Sequence, residues 1–368
     1  MWSCPVCQTE HTDAVIIDAM VCRECAFPIS QDYRIYPTLG DLAPSENMFD
    51  PYIQTWHKKK EARQREQERL AEEVRLAREQ QRLEEEKRKA EQRREKLPSV
   101  AAGKDFSLFL RAENDLMPLG TNNEHQCDIT DAEDLLPEWK KVVAVVAGEA
   151  HSVGLRKDGT VVATGLDSNG QCSGCAGWSS IRAIAAGAQH TVGLRDDGTV
   201  VATGLDSNGQ CSGCNGWREI KAVTAGETFT AALTEEGSVL IAGKMTGDAY
   251  TKNWHHITAI AAGSDNLLAI RENGEVIAIG SNTCGQCQVS NWKDVVAVAA
   301  GAEHFLGLTK DGNVLAAGKK DAIGTADQWT NIAAIDAGWY HCAAITTDQK
   351  RRHEGIGFGG KPLKWKET

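Results

Sequence analysis

The 18 residues from Val161 to Trp178 (VVATGLDSNGQCSGCAGW) return almost letter for letter at Val200 to Trp217 (VVATGLDSNGQCSGCNGW). Each copy belongs to a longer unit that also contains a segment such as Ile181 to Gly198 (IRAIAAGAQHTVGLRDDG). Units that repeat at a fixed interval must bury their apolar faces against one another, so this period constrains the fold more than any single motif does. Ala-Gly pairs recur at Gly103, Gly148, Gly187, Gly226, Gly263, Gly301 and Gly338, at spacings of 45, 39, 39, 37, 38 and 37 residues. Tryptophans accompany them at Trp139, Trp178, Trp217, Trp254, Trp292, Trp329 and Trp365.

Within the unit Ile181 to Trp217 the pattern predicts four short strands: IRAIAAG, HTVGLR, TVVATG and a short GQCSG segment. Alternating apolar and β-branched residues support strands, and Asp158-Gly159, Asp197-Gly198 and Asp311-Gly312 support hairpin turns. Four strands in about 40 residues, repeated around a ring, is the arithmetic of a β-propeller. The fold expected is mainly β: a seven-bladed propeller over residues 98–368, following an N-terminal zinc ribbon and a long charged helix. No VxAIAAG strand follows Trp365, and residues 98–103 carry one, so these residues are expected to complete the last blade and close the ring.

The recurrent set AAGxxH, LxxDGxVxxxG and NGQ resembles the repeat of the regulator of chromosome condensation family over about residues 98–368. The short, insertion-free units are closer to its bacterial branch, which includes a β-lactamase inhibitor protein, than to the chromatin-bound exchange factor. The resemblance implies a seven-bladed propeller that binds another protein. It does not imply exchange-factor activity, because no additional hairpin interrupts the units.

The turn after each Ala-Gly pair and the TGLDSNG turn should open on one end of the ring, with the Asp-Gly turns on the other. The two positions after the glycine vary most: Lys104-Asp105, Glu149-Ala150, Ala188-Gln189, Glu227-Thr228, Ser264-Asp265, Ala302-Glu303 and Trp339-Tyr340. Variable positions on a constant frame suit recognition. Candidate protein-binding residues are therefore Asp105, Glu149, Asp167, Gln189, Asp206, Glu227, Asp265, Glu303, Trp339 and Tyr340. Their charge suggests a partner with a basic surface, anchored on the aromatic pair.

Some tempting residues are set aside. His151, His190, His304 and His341 share one repeat position with Phe106, Phe229 and Asn266, which fits packing or a local hydrogen bond better than catalysis. Cys172 with Cys175, and Cys211 with Cys214, read as small buried side chains. Gly355 to Gly360 spells GxGxxG but precedes no helix pattern, so a dinucleotide site fails its context test.

Ahead of the repeats, Cys4 and Cys7, then Cys22 and Cys25, form two C-x2-C pairs 14 residues apart. This spacing suits a four-thiolate structural zinc site, and residues 1–32 resemble the zinc-ribbon class. Residues 33–50 form a connector, and residues 51–97 a helix free of internal proline and glycine until Leu97-Pro98. Leu76, Leu83, Ala90 and Leu97 recur every seven residues, but the companion heptad positions are charged. A solvated single helix and a weak coiled-coil homodimer both fit.

The net charge of −11 argues against nucleic acid as the partner, and evenly mixed helix charges argue against a basic RNA-binding stretch. No apolar run is long enough to span a membrane, and the start lacks a signal-peptide pattern, so a cytoplasmic, thiol-bearing protein is expected. The expected function is a non-enzymatic interaction module or scaffold carrying structural zinc. An enzyme inhibitor using the acidic face is the alternative, with a GTPase regulator behind it.

Overall fold

The computed structural model describes residues 2–3, 10–11, 50–94, 99–111, 115–131 and 134–356. The four candidate zinc cysteines, the connector and Trp365 lie outside the described residues. The chain divides into two units, residues 1–90 and 91–368.

In the first unit, Trp2–Ser3 pairs antiparallel with Glu10–His11. An α-helix runs from Asp50 to Arg94, 45 residues or about 70 Å. Its described side chains are exposed, Leu70 at 49% and Val74 at 51% among them. Arg65 meets Glu61 at 3.3 Å, Arg69 meets Glu66 at 2.9 Å and Arg75 meets Glu72 at 3.2 Å. Such pairs each add a few tenths of a kcal/mol.

Among its described residues the second unit has seven three-stranded antiparallel sheets and a two-stranded one, Thr130–Asp131 with Asp134–Leu135. The inner strands of blades 1 to 7 are Ser99–Ala102, Val142–Ala147, Ile181–Ala186, Ile220–Ala225, Ile257–Ala262, Val295–Ala300 and Ile332–Ala337. Each pairs with a middle strand, which pairs with an outer one; in blade 3 these are His190–Arg195 and Val200–Gly204. Successive inner strands pack on one another and the seventh packs on the first, closing a seven-bladed ring. Alanines and glycines of all seven inner segments line a central channel with room for ≈ 60 Å³, because seven backbones converge there.

Two expectations are corrected. The GQCSG segment is a turn and not a fourth strand, with 3₁₀ turns at Ser173–Cys175 and Ser212–Cys214. Asp167 Oδ1 accepts the amides of Cys172 (2.8 Å) and Ser173 (3.0 Å), so the backbone donors that a strand would offer are used locally. Second, residues 98–103 do not complete the last blade. Ser99–Ala102 pairs with Phe106–Arg111 in blade 1, and blade 7 supplies its own inner strand. The ring closes by packing and by seam bonds: Ala102 N to Asp336 Oδ2 at 2.7 Å, Trp339 N to Gly103 O at 3.1 Å and Ser107 Oγ to His341 Nε2 at 2.8 Å.

The repeat motif has a steric basis. A Cβ on Gly187 would stand 2.1 Å from His190 Cε1 and 2.4 Å from the carbonyl oxygen of Gly226 in the next blade. The histidine ring therefore lies beneath a residue that must lack a side chain. Trp139, Trp178 and Trp292 likewise pack where Gly154, Gly193 and Gly307 leave room, with 2.8, 2.9 and 2.8 Å to a built Cβ. Blade 1 has Phe109 at that position, buried against Ala343 and Ile345 of blade 7.

The buried histidines link neighbouring blades. His151 Nε2 meets Thr191 Oγ1 at 3.1 Å and His190 Nε2 meets Thr230 Oγ1 at 3.0 Å. These hydroxyls donate to the carbonyls of Gln171 (2.7 Å) and Gln210 (2.8 Å), so each must accept its bond from Nε2–H. That leaves Nδ1 bare and buried in both rings. Burial pushes the pKa down to about 3 for His151 and His341, and about 4 for His190 and His304. Neutral packing histidines are what the geometry describes. The repeat cysteines are free thiols, and burial raises Cys175 and Cys214 to about 11 and Cys172 and Cys211 to about 12.

Candidate protein-binding face

Both variable turns open on one end of the ring. The residue after each outer-strand glycine donates to the second residue after the inner-strand glycine: Leu166 N to Ala150 O at 2.8 Å, Leu205 N to Gln189 O at 2.8 Å, Lys319 N to Glu303 O at 2.9 Å and Ile356 N to Tyr340 O at 3.0 Å. A belt of amides runs from blade to blade across the same end, as Glu149 N to Ala188 O (3.1 Å), Ala188 N to Gly226 O (3.2 Å) and Glu227 N to Ser264 O (2.9 Å). The frame is thus backbone, and the side chains at these positions are left to vary.

The carboxylates on this end are mostly engaged. Glu149 holds Lys104 Nζ at 2.5 Å and accepts Gln189 Nε2 at 3.4 Å, while Gln189 Oε1 accepts Asn169 Nδ2 at 3.0 Å. Glu303 holds Lys319 at 2.5 Å. Glu227 is exposed and accepts the Ser264 hydroxyl, and Asp265 accepts the amide (2.8 Å) and hydroxyl (2.7 Å) of Thr246. Asp105 is half-buried.

Asp167 and Asp206 are exposed at this end but each caps its own turn, Asp206 accepting Cys211 N at 2.8 Å and Ser212 N at 2.9 Å. Asn122 and Asn282 accept the amides of Cys127 and Cys287 at 2.7 and 2.9 Å in two other units. The turn therefore needs the side-chain oxygen and not the charge.

Trp339, at the channel mouth, and Tyr340 beside it are half-buried, edge to face, with ring centroids 6.2 Å apart and planes at 73°. Lys104 Nζ stands 4.7 Å from the Trp339 ring and Lys319 Nζ stands 5.7 Å from the Tyr340 ring. Each lysine is thus shared between a ring and a carboxylate, an arrangement worth about 0.5–1 kcal/mol per cation–π contact near the surface. The sequence reading missed the part played by these two lysines. Lys319 could have been found by aligning the residues that follow the outer-strand glycines, where Leu166 and Leu205 occupy the same place.

Four segments, 142–171, 181–210, 257–286 and 295–320, match the family pattern described as Regulator of chromosome condensation (RCC1) repeat. No curated protein matches the chain. The ectodomain of the Physcomitrella patens receptor kinase CR4 is similar in structure, at 19% identity and a TM-score of 0.54, covering 70% of this chain and 73% of that one. The CRINKLY WD40 ectodomain of the Arabidopsis thaliana receptor kinase ACR4 has 16% identity and a TM-score of 0.54, covering 73% and 97%. Prp20p from Saccharomyces cerevisiae has 18% identity and a TM-score of 0.39, covering 72% and 75%. At these identities the two plant ectodomains speak for the fold alone. The sequence matches fall on blades 2, 3, 5 and 6, each from its inner strand into the turn or helix beyond its outer strand, so four of the seven blades match the pattern of the regulator of chromosome condensation repeat.

Proposed function

We propose that the propeller is a non-enzymatic protein-interaction module whose variable-turn end is the recognition surface. The observation that carries this reading is the Trp339–Tyr340 pair, Trp339 at the channel mouth, where the other six blades present small, polar or charged residues. Aromatic side chains set in a polar rim are typical interface anchors. Carboxylates outnumber lysines around the pair, which favours a partner with a basic surface, although Lys104 and Lys319 neutralise part of that charge.

In the same reading Cys4, Cys7, Cys22 and Cys25 hold structural zinc, the helix acts as a spacer or joins two copies, and the protein works in the cytoplasm; spacing and composition support these parts. The short units keep the bacterial, inhibitor-type branch as the finer resemblance, with capping of an enzyme as the second reading.

The test is affinity capture by immobilised full-length protein. Trp339→Ala and Glu227→Lys should each lose the captured partner, while Asp158→Lys, at an Asp-Gly turn on the opposite end, should keep it. If all three retain the same partner, this face is not the recognition surface.

A further inference from the structure

The two 18-residue copies differ at one letter: Ala176 in the first is Asn215 in the second, and a glycine follows each. Asn215-Gly216 is one of four Asn-Gly pairs in the chain, the others being Asn169-Gly170, Asn208-Gly209 and Asn273-Gly274. In such a pair the glycine amide nitrogen can reach the asparagine side chain, because no β-carbon shields it. How readily it reacts depends on whether that amide is already engaged.

In three of the pairs it is. Gly170 N donates to Asp167 O at 3.0 Å, Gly209 N to Asp206 O at 3.1 Å and Gly274 N to Arg271 O at 2.8 Å, each closing its own turn. The asparagine side chains are held as well. Asn169 Nδ2 donates to Gln189 Oε1 at 3.0 Å, Asn208 Nδ2 donates to Ser207 Oγ at 3.2 Å, and Asn273 Oδ1 accepts Glu275 N at 3.0 Å.

The fourth pair differs. Asn215 (φ −62°, ψ 127°) and Gly216 (φ 90°) are the central residues of a type II turn. Its closing bond runs from Trp217 N to Cys214 O at 3.2 Å, which leaves the Gly216 amide over. Among the described residues nothing accepts that amide and nothing bonds the Asn215 side chain. Both residues are exposed, and a Cβ built on Gly216 meets nothing within 4 Å, so the peptide between them has room to rotate.

We propose that Asn215 is a self-modifying site, converted to aspartate and isoaspartate by its own backbone. Gly216 N gives up its proton to base and bonds to Asn215 Cγ, while Nδ2 leaves with a proton as ammonia. Water then opens the succinimide at either carbonyl, leaving a carboxylate on a main chain of normal or increased length. No oxidant or cofactor is consumed. The longer product inserts a carbon atom between Cys214, 1% exposed, and Trp217, which packs on the apolar cluster shared by blades 3 and 4.

The test is ageing of the full-length protein in mildly alkaline buffer, followed by peptide mapping with fragmentation that separates aspartate from isoaspartate. Acid at position 215 should form roughly tenfold faster than at 169, 208 or 273, the rate equivalent of one hydrogen bond. Ala176→Asn should create a second site of similar rate, since Ala176 (φ −61°, ψ 129°) and Gly177 (φ 84°) make the same turn. In urea the four native rates should converge. Hydrogen exchange at the Trp217 amide should quicken in aged chains, while that at Trp178 should not. The site assignment is overturned if position 215 ages no faster than the other three, if Ala176→Asn is inert, or if the lead of position 215 survives in urea. Unchanged exchange at Trp217 in modified chains would overturn the effect on the turn.

Discussion

Acid should unfold this propeller through its buried histidines. His151, His190, His304 and His341 are all fully buried, with pKa values of about 3 to 4 against an ordinary 6.5. A depressed histidine pKa means that the unfolded chain binds the proton first, so stability is complete above about pH 6.5 and is lost as the pH falls toward 4. At pH 5 an unfolded histidine is protonated about thirtyfold over its neutral form, which costs the folded state about 2 kcal/mol for each site and about 8 kcal/mol for four. Asp336 opposes this. Burial raises its carboxyl to about 7 against the pull of the Ala102 and Ala337 amides, so acid protonates the folded form first and returns about 2–3 kcal/mol. The remaining loss, about 5 kcal/mol, is comparable to the whole stability of many domains.

The decisive variant is His190→Phe, because Phe229 already occupies the same place in blade 4 with its Cε1 2.1 Å from a Cβ built on Gly226, matching the histidine geometry. Urea unfolding followed by tryptophan fluorescence at pH 7.5 and pH 5 should show the variant losing about 2 kcal/mol less between the two pH values than wild type. Any packing cost of the substitution is common to both pH values and cancels. An equal loss in both proteins would refute the reasoning.

Three further outcomes follow from the same contacts. Asp336→Asn keeps an acceptor for Ala102 N but removes a group that resists ionisation, so it should abolish a stability loss of up to about 4 kcal/mol as the pH rises from about 4 through 7, measured by urea titration across that range. Gly187→Ala should cost at least about 3 kcal/mol, since its Cβ meets both a buried ring and a neighbouring backbone carbonyl, and a thermal melt shift of a few tenths of a degree would contradict this. Trp139→Ala, at a side chain 1% exposed, should cost about 3–5 kcal/mol by denaturant titration.

The ring was legible because its spacing is imposed by packing that repeats in every unit. The glycines mark where a ring and a carbonyl crowd the backbone, and the tryptophans mark where a middle strand leaves room. Blade membership of residues 98–103 was not legible in the same way. A strand at the start of a circular array satisfies the same pattern whether it pairs forward or backward, and only the ladder from Ser99↔Leu110 to Ala102↔Ser107 decides. The fourth segment was misread because its alternation looked strand-like while Asp167, three positions before it, captured its amides. At the face, the variable positions were visible in the sequence, but the pairing of Lys104 with Glu149 and of Lys319 with Glu303 was not. The first joins residues 45 apart and the second depends on a turn geometry that places two loops together.

One long-range relation can be recovered from the repeat, and it yields the last prediction. His151 pairs with Thr191 and His190 with Thr230, each 40 residues ahead, whereas Phe229 shares an apolar cluster with Leu267. In blades 2 and 3 the histidine thus goes with a hydroxyl in the next blade, and in blade 4 Phe229 goes with an aliphatic side chain, while Phe106 of blade 1 has Ser152 at the corresponding position, its hydroxyl given to Gln126 O. His304 has Cys342 at the corresponding position, and that thiol is given to Ala322 O. If this pairing helps each blade fit its successor, His190→Phe and Thr230→Val should be coupled. Phenylalanine alone removes the donor but leaves Thr230 bonded to Gln210. Valine alone strands His190 Nε2–H and leaves the Gln210 carbonyl with only the weak Cys214 thiol donor at 3.3 Å, and should cost about 2–3 kcal/mol. In the double variant no histidine donor is left unpaired and the carbonyl keeps the Cys214 thiol, so the combined loss should fall short of the sum by about 1–2 kcal/mol. A strictly additive cycle would mean that histidine and threonine fill space independently, and the histidine of the AAGxxH motif would then answer only to the glycine above it.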